Sequence, residues 1–164
     1  MTTEDLSREI ILDHYQNPRN HGRLEQPTVA NRGHNPLCGD EIELSLAIDE
    51  GQGLLGDIRF AGRGCSISQA SASMMTDIVK GQTLAEVDAA VQRFTQTMAN
   101  REPPPHELAD ELDALQGVKR YPARVKCALL PWTTLRETVD LYRHRESSPV
   151  SNGNGVVIDC ADAP

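Results

Sequence analysis

Residues 41–48 alternate cleanly: Ile42, Leu44, Leu46 and Ile48 are separated by Glu41, Glu43, Ser45 and Ala47. A period of two with one apolar side predicts a strand with one buried and one wet face. Asp49-Glu50-Gly51-Gln52-Gly53 is turn material, after which Leu54, Ile58 and Phe60 fall on one side of a return strand, giving an antiparallel hairpin. A short strand over residues 29–34 precedes it. Helical spacing dominates elsewhere. Thr2 and Asp5 form a capping pair for a helix ending near Gln16, where Asn17-Pro18 stops it. Its apolar pairs, four residues apart, are Leu6 with Ile10 and Ile11 with Tyr15.

Past Gly62 and Gly64 the pattern predicts a helix over residues 66–80, with Gly81 as its C-terminal stop. Thr83-Leu84-Ala85-Glu86 is a capping box for the next helix, whose Leu84, Val87, Val91, Phe94 and Met98 form a core-facing stripe. Met98 is read as core, not as a ligand. Arg101-Glu102-Pro103-Pro104-Pro105 breaks the chain before a short helix with Leu108, Leu112 and Leu115. Pro122 suits the first position of a long helix carrying Cys127. Pro131 should kink that helix, and Leu135, Val139 and Tyr142 continue its apolar side. The expected fold is α+β: a small antiparallel sheet of about three strands with helices packed on one face. One domain spans residues 1–145, and residues 146–164, rich in Ser, Gly, Asn and Pro, read as a disordered tail.

Length and composition bound the rest. The chain has 164 residues, 38% hydrophobic and 24% charged, enough for one domain with a real core. Aromatics are only 4%, so Leu, Ile, Val, Ala and Met must fill that core. A net charge of −8 argues against a nucleic-acid surface. The acidic start, Met1-Thr2-Thr3-Glu4-Asp5, does not resemble a signal peptide, and no apolar run reaches the ~20 residues of a membrane span. A cytoplasmic, reducing setting is therefore expected, in which cysteines serve as metal ligands, nucleophiles or core residues in preference to disulfides.

Three cysteines sit in short local motifs: Asn35-Pro36-Leu37-Cys38-Gly39-Asp40, Gly62-Arg63-Gly64-Cys65-Ser66-Ile67-Ser68 and Arg124-Val125-Lys126-Cys127. Cys38, Asp40, Cys65 and Cys127 together would offer one ion three thiolates and a carboxylate, a tetrahedral set suited to zinc. Each has a plain alternative. Gly62 and Gly64 make a tight turn in which Cys65 fills a small hole, Asp40 is a solvated strand start, and Cys127 is a buried core cysteine. Cys65 near a helix N-terminus favours the thiolate. Cys160 reads as an exposed thiol in the tail. Ala70-Ser71-Ala72-Ser73 reads as a close-packing helix face with no catalytic partner for its serines. His14, His21, His34, His106 and His144 lack metal-type spacing, and each reads as structural or solvent-exposed. Gly62-x-Gly64 is no phosphate loop.

These motifs, in this order, resemble the U-type iron–sulfur cluster assembly proteins (the IscU/NifU-N-terminal-like family), and within them the SufU branch. Asn35-Pro36-x-Cys38-Gly39-Asp40 is similar to the first signature. Gly62-x-Gly64-Cys65-x-Ile67-Ser68-x-Ala70-Ser71-x-Ser73-Met74 and Arg124-Val125-Lys126-Cys127-Ala128-x-Leu130-x-Trp132 are similar to the second and third. In the IscU scaffold branch a histidine precedes the last cysteine, whereas here the residue is Lys126. The scaffold's Leu-Pro-Pro-Val-Lys segment is absent, with Tyr121-Pro122-Ala123-Arg124-Val125 near its place, and residues 100–116 resemble the segment that marks SufU.

The resemblance implies an IscU/SufE-like fold and a zinc-dependent sulfurtransferase of the SUF system. Cys38, Asp40, Cys65 and Cys127 would hold zinc. A SufS-type cysteine desulfurase would dock, one of its histidines taking the place of Cys38 on the metal. Cys38 would then accept persulfide sulfur for a downstream acceptor or cluster scaffold, with Arg124 orienting the partner or the persulfide. Two other readings stay open: an iron–sulfur cluster scaffold using the same ligands, and a non-catalytic module with structural zinc.

Overall fold

The capping signals form as the sequence asks. Thr2 and Asp5 exchange both bonds of a capping box, Asp5 N–H to Thr2 Oγ1 at 3.1 Å and Thr2 N–H to Asp5 Oδ2 at 3.2 Å, and open helix α1, Thr3–Gln16. Three strands follow: β1 (Val29–Asn35), β2 (Asp40–Asp49) and β3 (Leu54–Arg63). Then come α2 (Ser66–Val79), α3 (Leu84–Ala99), the single-turn α4 (Asp110–Asp113), a 3₁₀ segment (Ala114–Arg120) and α5 (Pro122–Arg145). The computed structural model describes residues 2–36, 39–99 and 110–145. Cys38, Leu108, the Pro-rich break, the expected tail and Cys160 lie outside the described residues.

Among the described residues the sheet is antiparallel in the order β1-β2-β3. Asn35 pairs with Asp40 and Glu41 with Arg63, which brings the end of β1, the start of β2 and the end of β3 to one edge. Ile42, Leu44, Leu46 and Ile48 are buried against the helices, as their alternation requires. Two details of the hairpin differ from expectation. Ala47 pairs with Asp57 but Ile48 with Leu55, so Gly56 is the extra residue of a β-bulge. The bulge reverses the alternation, and Leu55, not Leu54, joins Ile58 and Phe60 in the core. Ser45, expected on the wet face, is buried and accepts the Leu24 N–H at 3.0 Å, because the loop after α1 crosses that face.

Helix α2 is the centre of the helical layer, with Ala70, Ser71, Ala72 and Ser73 fully buried and α1, α3 and α5 packed around it. In α1 only His14 is fully buried; of the expected apolar pairs Ile10 and Ile11 pack against the core, while Leu6 and Tyr15 are about half exposed, and a polar anchor is added. His14 Nδ1 meets Ser73 Oγ at 2.8 Å. Its Nε2 faces the Glu111 carboxylate at 3.2 Å, an ion-pair distance without hydrogen-bond alignment. The Thr83–Glu86 box opens α3, whose Val87, Val91, Phe94 and Met98 enter the core, Phe94 stacking on Trp132 at 4.5 Å. Helix α5 runs unbroken through Pro131. Among the described residues no helix is long and apolar enough to cross a membrane.

The bulge makes adjacent leucines unequal. Leu55→Ala should cost about 2–5 kcal/mol by cavity formation, and Leu54→Ala about 1 kcal/mol or less. Urea unfolding of both variants checks this, and equal losses would overturn the register.

Candidate metal centre

Three elements converge on one end of the sheet. Asp40 begins β2, Cys65 is the N-cap of α2, and Cys127 lies in the second turn of α5. One ligand atom from each, a carboxylate oxygen and two sulfurs, lies within 4.8 Å of the others. Asp40 and Cys127 are buried and Cys65 is half-buried. As N-cap, Cys65 has an extended backbone (φ −69°, ψ 167°), and its sulfur takes no capping hydrogen bond, which leaves it for the cluster.

The Asp40 carboxylate joins the strand to the helix. Its Oδ1 accepts the Cys65 N–H at 2.9 Å, while Oδ2 is buried without a hydrogen-bond partner among the described residues. An orphaned buried carboxylate oxygen is costly in a folded protein and is the natural complement of a cation. Two glycines let the carboxylate come this close. Gly62 (φ 133°) turns the chain where a Cβ would overlap the Glu41 carbonyl. At Gly64 a Cβ would stand 2.6 Å from Asp40 Oδ1 and 2.5 Å from Ser68 Oγ. The tight-turn reading of these glycines and the ligand reading of Cys65 are therefore one fact: the turn presents the thiol.

The two thiols hold each other in opposite states. Cys65 is lowered to about 5, first by the facing Cys127 thiol, then by the backbone at Ser68 and Ile67, against burial and the Asp40 charge. Cys127 is pushed up, first by the facing Cys65 sulfur, then by burial and by Asp40, and its own S–H donates to the Ala123 carbonyl at 3.5 Å. A divalent ion bound between them would hold both sulfurs as thiolates. The donors thus fit a zinc-like ion, two soft sulfurs and one carboxylate leaving room for a further ligand.

Of the sequence-proposed residues, Asp40, Cys65 and Cys127 come together. Cys38 lies outside the described residues; of its described neighbours, Gly39 (φ 70°) donates its N–H to the Asn35 carbonyl at 2.9 Å. Arg124 is exposed in the first turn of α5 and lines a cleft of about 760 Å³ beside Ser66, Ile67 and Tyr121, next to the cluster. His34 stays outside the cluster. His21 packs edge-on against Phe60 and His144 is exposed near the end of α5. Sequence reasoning missed Ser68, whose hydroxyl donates to the Cys65 carbonyl at 3.1 Å and whose oxygen lies 3.9 Å from Cys65 Sγ. Its signal was its place three residues after an N-cap.

A three-stranded sheet backed by helices, with a carboxylate and two thiols converging at one sheet end, defines a small α+β protein with a Cys/Asp metal centre as its candidate site. The chain belongs to the NifU-like N-terminal domain family, whose sequence profile matches residues 6–147. It is similar to the zinc-dependent sulfurtransferase SufU of Bacillus subtilis, 41% identical over 136 residues, covering 83% of this chain and 90% of that one. It is also similar to the iron–sulfur cluster assembly scaffold protein IscU of Streptococcus pyogenes, 39% identical over 134 residues, covering 82% of each. A solved structure from Fervidobacterium islandicum, put forward as an iron–sulfur cluster assembly scaffold for the SUF system, superposes with a TM-score of 0.75 at 33% identity. It covers 84% of this chain and 99% of that chain.

Gly64→Ala forces a methyl into the Asp40 carboxylate and should lower stability by about 1–3 kcal/mol while reducing zinc uptake. Gly117→Ala, whose added methyl meets open space, is the control. Urea unfolding and native mass spectrometry report both effects. Full zinc uptake by the Gly64 variant would refute the close approach.

Proposed function

We propose that this chain is a zinc-dependent sulfurtransferase of iron–sulfur cluster assembly, accepting sulfur from a SufS-type cysteine desulfurase. The observation that carries the reading is the buried Asp40–Cys65–Cys127 cluster with its orphaned carboxylate oxygen, in a chain similar to a SufU of that activity. Asp40, Cys65, Cys127 and Cys38 would hold the ion. When bound, zinc supplies a positive charge that keeps these thiols deprotonated near neutral pH and shields them from oxidation.

Cys38 is the acceptor in this reading. Its thiolate attacks the outer sulfur of the partner's persulfide, the partner's S–S bond breaks, and a Cys38 persulfide and the partner's thiolate result. The cleft lined by Arg124, Tyr121 and Ser66 supports a docking surface for that partner in this reading. The acceptor and the other ligands differ in how the fold carries them. Asp40, Cys65 and Cys127 are built into a strand and two helices, whereas Cys38 belongs to the turn between Asn35 and Asp40.

A second reading, a scaffold on which a cluster is built, is favoured by the similarity to IscU proteins. The same three thiols and Asp40 would serve it. Lys126, in place of the scaffold branch's histidine, supports the first reading over this one.

Alanine release by the cognate desulfurase should rise sharply with the zinc-loaded protein and return to the unstimulated rate with Cys38→Ser. Full sulfur acceptance by that variant would overturn the mechanism. Cys65→Ala and Cys127→Ala should each lose zinc and much of the fold's stability, a structural ion contributing on the order of 10 kcal/mol. No stimulation by wild type, with a coloured cluster formed on reconstitution and handed quickly to an acceptor, would favour the scaffold.

A further inference from the structure

Two of the three described donors come from different helices, so the distance between their sulfurs depends on how α2 sits on α5. One buried hydrogen-bonded node joins those helices next to the site. The Ser71 hydroxyl, from α2, donates to the Ala128 carbonyl of α5 at 2.6 Å and accepts the Trp132 Nε1–H at 3.1 Å. The direction of both bonds is fixed by chemistry. An indole N–H only donates, so Ser71 Oγ must accept it, and the serine's own proton is left for the carbonyl. Ser71, Ala128 and Trp132 are all fully buried, out of competition with water.

Ala128 immediately follows Cys127, and α5 is weakened at that point. Pro131 has no N–H, so the Cys127 carbonyl four residues earlier receives no helical hydrogen bond. The ligand's own peptide is where the ladder is interrupted, and the next carbonyl is the one that Ser71 holds from across the helix pair. The small side chains of Ala70, Ala72 and Ala128, all fully buried, let the two backbones approach closely enough for one hydroxyl to span them.

We propose that Ser71 is a positioning residue for the metal centre: by tying α2 to the Cys127–Pro131 stretch of α5, it sets the separation of the Cys65 and Cys127 sulfurs. It touches neither the ion nor the sulfur that is transferred. Trp132 orients its hydroxyl. Ser73, two residues along the same helix and equally buried, provides the internal contrast. Its Oγ accepts the Arg19 N–H at 2.8 Å and meets His14 Nδ1, so it ties α2 to α1 and its loop, away from α5. The inference rests on the metal-centre reading above.

The test compares full-length wild type, Ser71→Ala, Ser73→Ala and Trp132→Phe. Zinc affinity is measured by competition with a chromophoric chelator, and the cobalt-substituted forms are compared by their thiolate-to-cobalt charge-transfer and d–d bands. Unfolding in urea is followed in the metal-free state. Ser71→Ala should weaken zinc by about 10–100-fold, the usual scale for groups that support ligands, and should shift the cobalt bands. Ser73→Ala should lower the unfolding midpoint comparably while leaving affinity and bands at wild-type values. Trp132→Phe, which keeps a ring to stack on Phe94, should weaken zinc in the same direction by less, and it carries the test if Ser71→Ala does not fold. Wild-type affinity and bands in Ser71→Ala, or in Trp132→Phe if only that variant folds, would overturn the proposal. Equal weakening of zinc by Ser73→Ala would also overturn it, showing general loosening instead. A wild type that takes up neither ion would overturn the metal centre itself, and is distinguishable because no variant is then needed to see it.

Discussion

A carboxylate buried between two thiols is the constraint around which this molecule is arranged. Asp40 reaches the Cys65 N–H with one oxygen, and its other oxygen is buried without a hydrogen-bond partner among the described residues. That one bond fixes the joint between the first residue of β2 and the first turn of α2, and it requires Gly64, where any side chain would displace it. Three groups able to carry negative charge inside 4.8 Å oppose one another when no cation is present. The two thiols are driven apart, Cys65 pushed down and Cys127 pushed up, while one carboxylate oxygen has no hydrogen-bond partner among the described residues. A divalent cation would answer all three at once, and folding and metal binding would then be linked, because an ion held only by the folded chain stabilises it by mass action.

The surrounding frame is stiff for ordinary reasons. The sheet lays Leu44, Leu46, Leu55, Ile58 and Phe60, all fully buried, against helices α2, α3 and α5, and each such side chain is worth roughly 1.5–3 kcal/mol relative to exposure. The helical layer is held differently at its centre. There α2 carries buried Ala and Ser beside Met74 and Met75, and short hydrogen bonds through Ser71 and Ser73 add to the packing. Small residues bring backbones close but specify little by shape. A hydroxyl that must satisfy a carbonyl and an indole specifies one register. The polar residues of α2 thus supply the specificity that its alanines cannot, and they do so along the helix that begins with a ligand.

Most of the architecture was legible because its signals are local. The Thr2–Asp5 and Thr83–Glu86 boxes, the alternation from Ile42 to Ile48 and the stops at Asn17 and Gly81 each depend on neighbours within a few residues, and all form. The misreadings involve information held elsewhere in the chain. The bulge at Gly56 depends on pairing with Ala47 and Ile48, so strict alternation put Leu54 in the core instead of Leu55. Ser45 is buried by a loop twenty residues upstream, and the polar anchor at His14 by Ser73, far along the chain. Asp40, Cys65 and Cys127 could be suspected from their motifs, but their convergence requires the sheet end and two helix starts to meet. Ser71 was read as packing because a serine's sequence position does not show what its hydroxyl faces.

The donor set does not by itself separate a sulfur carrier from a cluster scaffold, since thiolates and a carboxylate suit both zinc and iron. The difference must come from groups beside the ligands. An imidazole next to the last cysteine would add a nitrogen donor with a lone pair, useful to a cluster that needs further ligands as it grows or departs. A lysine ammonium at that place has only protons to offer. Lys126 therefore adds no donor, and with Cys38 included the proposed shell would be three thiols and one carboxylate, complete for one zinc. In such a closed shell a thiol becomes a nucleophile only by leaving it. Cys65 sits at the α2 cap and Cys127 beside the α5 carbonyl that Ser71 holds, so in the proposed reading Cys38 would be the thiol that a partner recruits with least disturbance of the core.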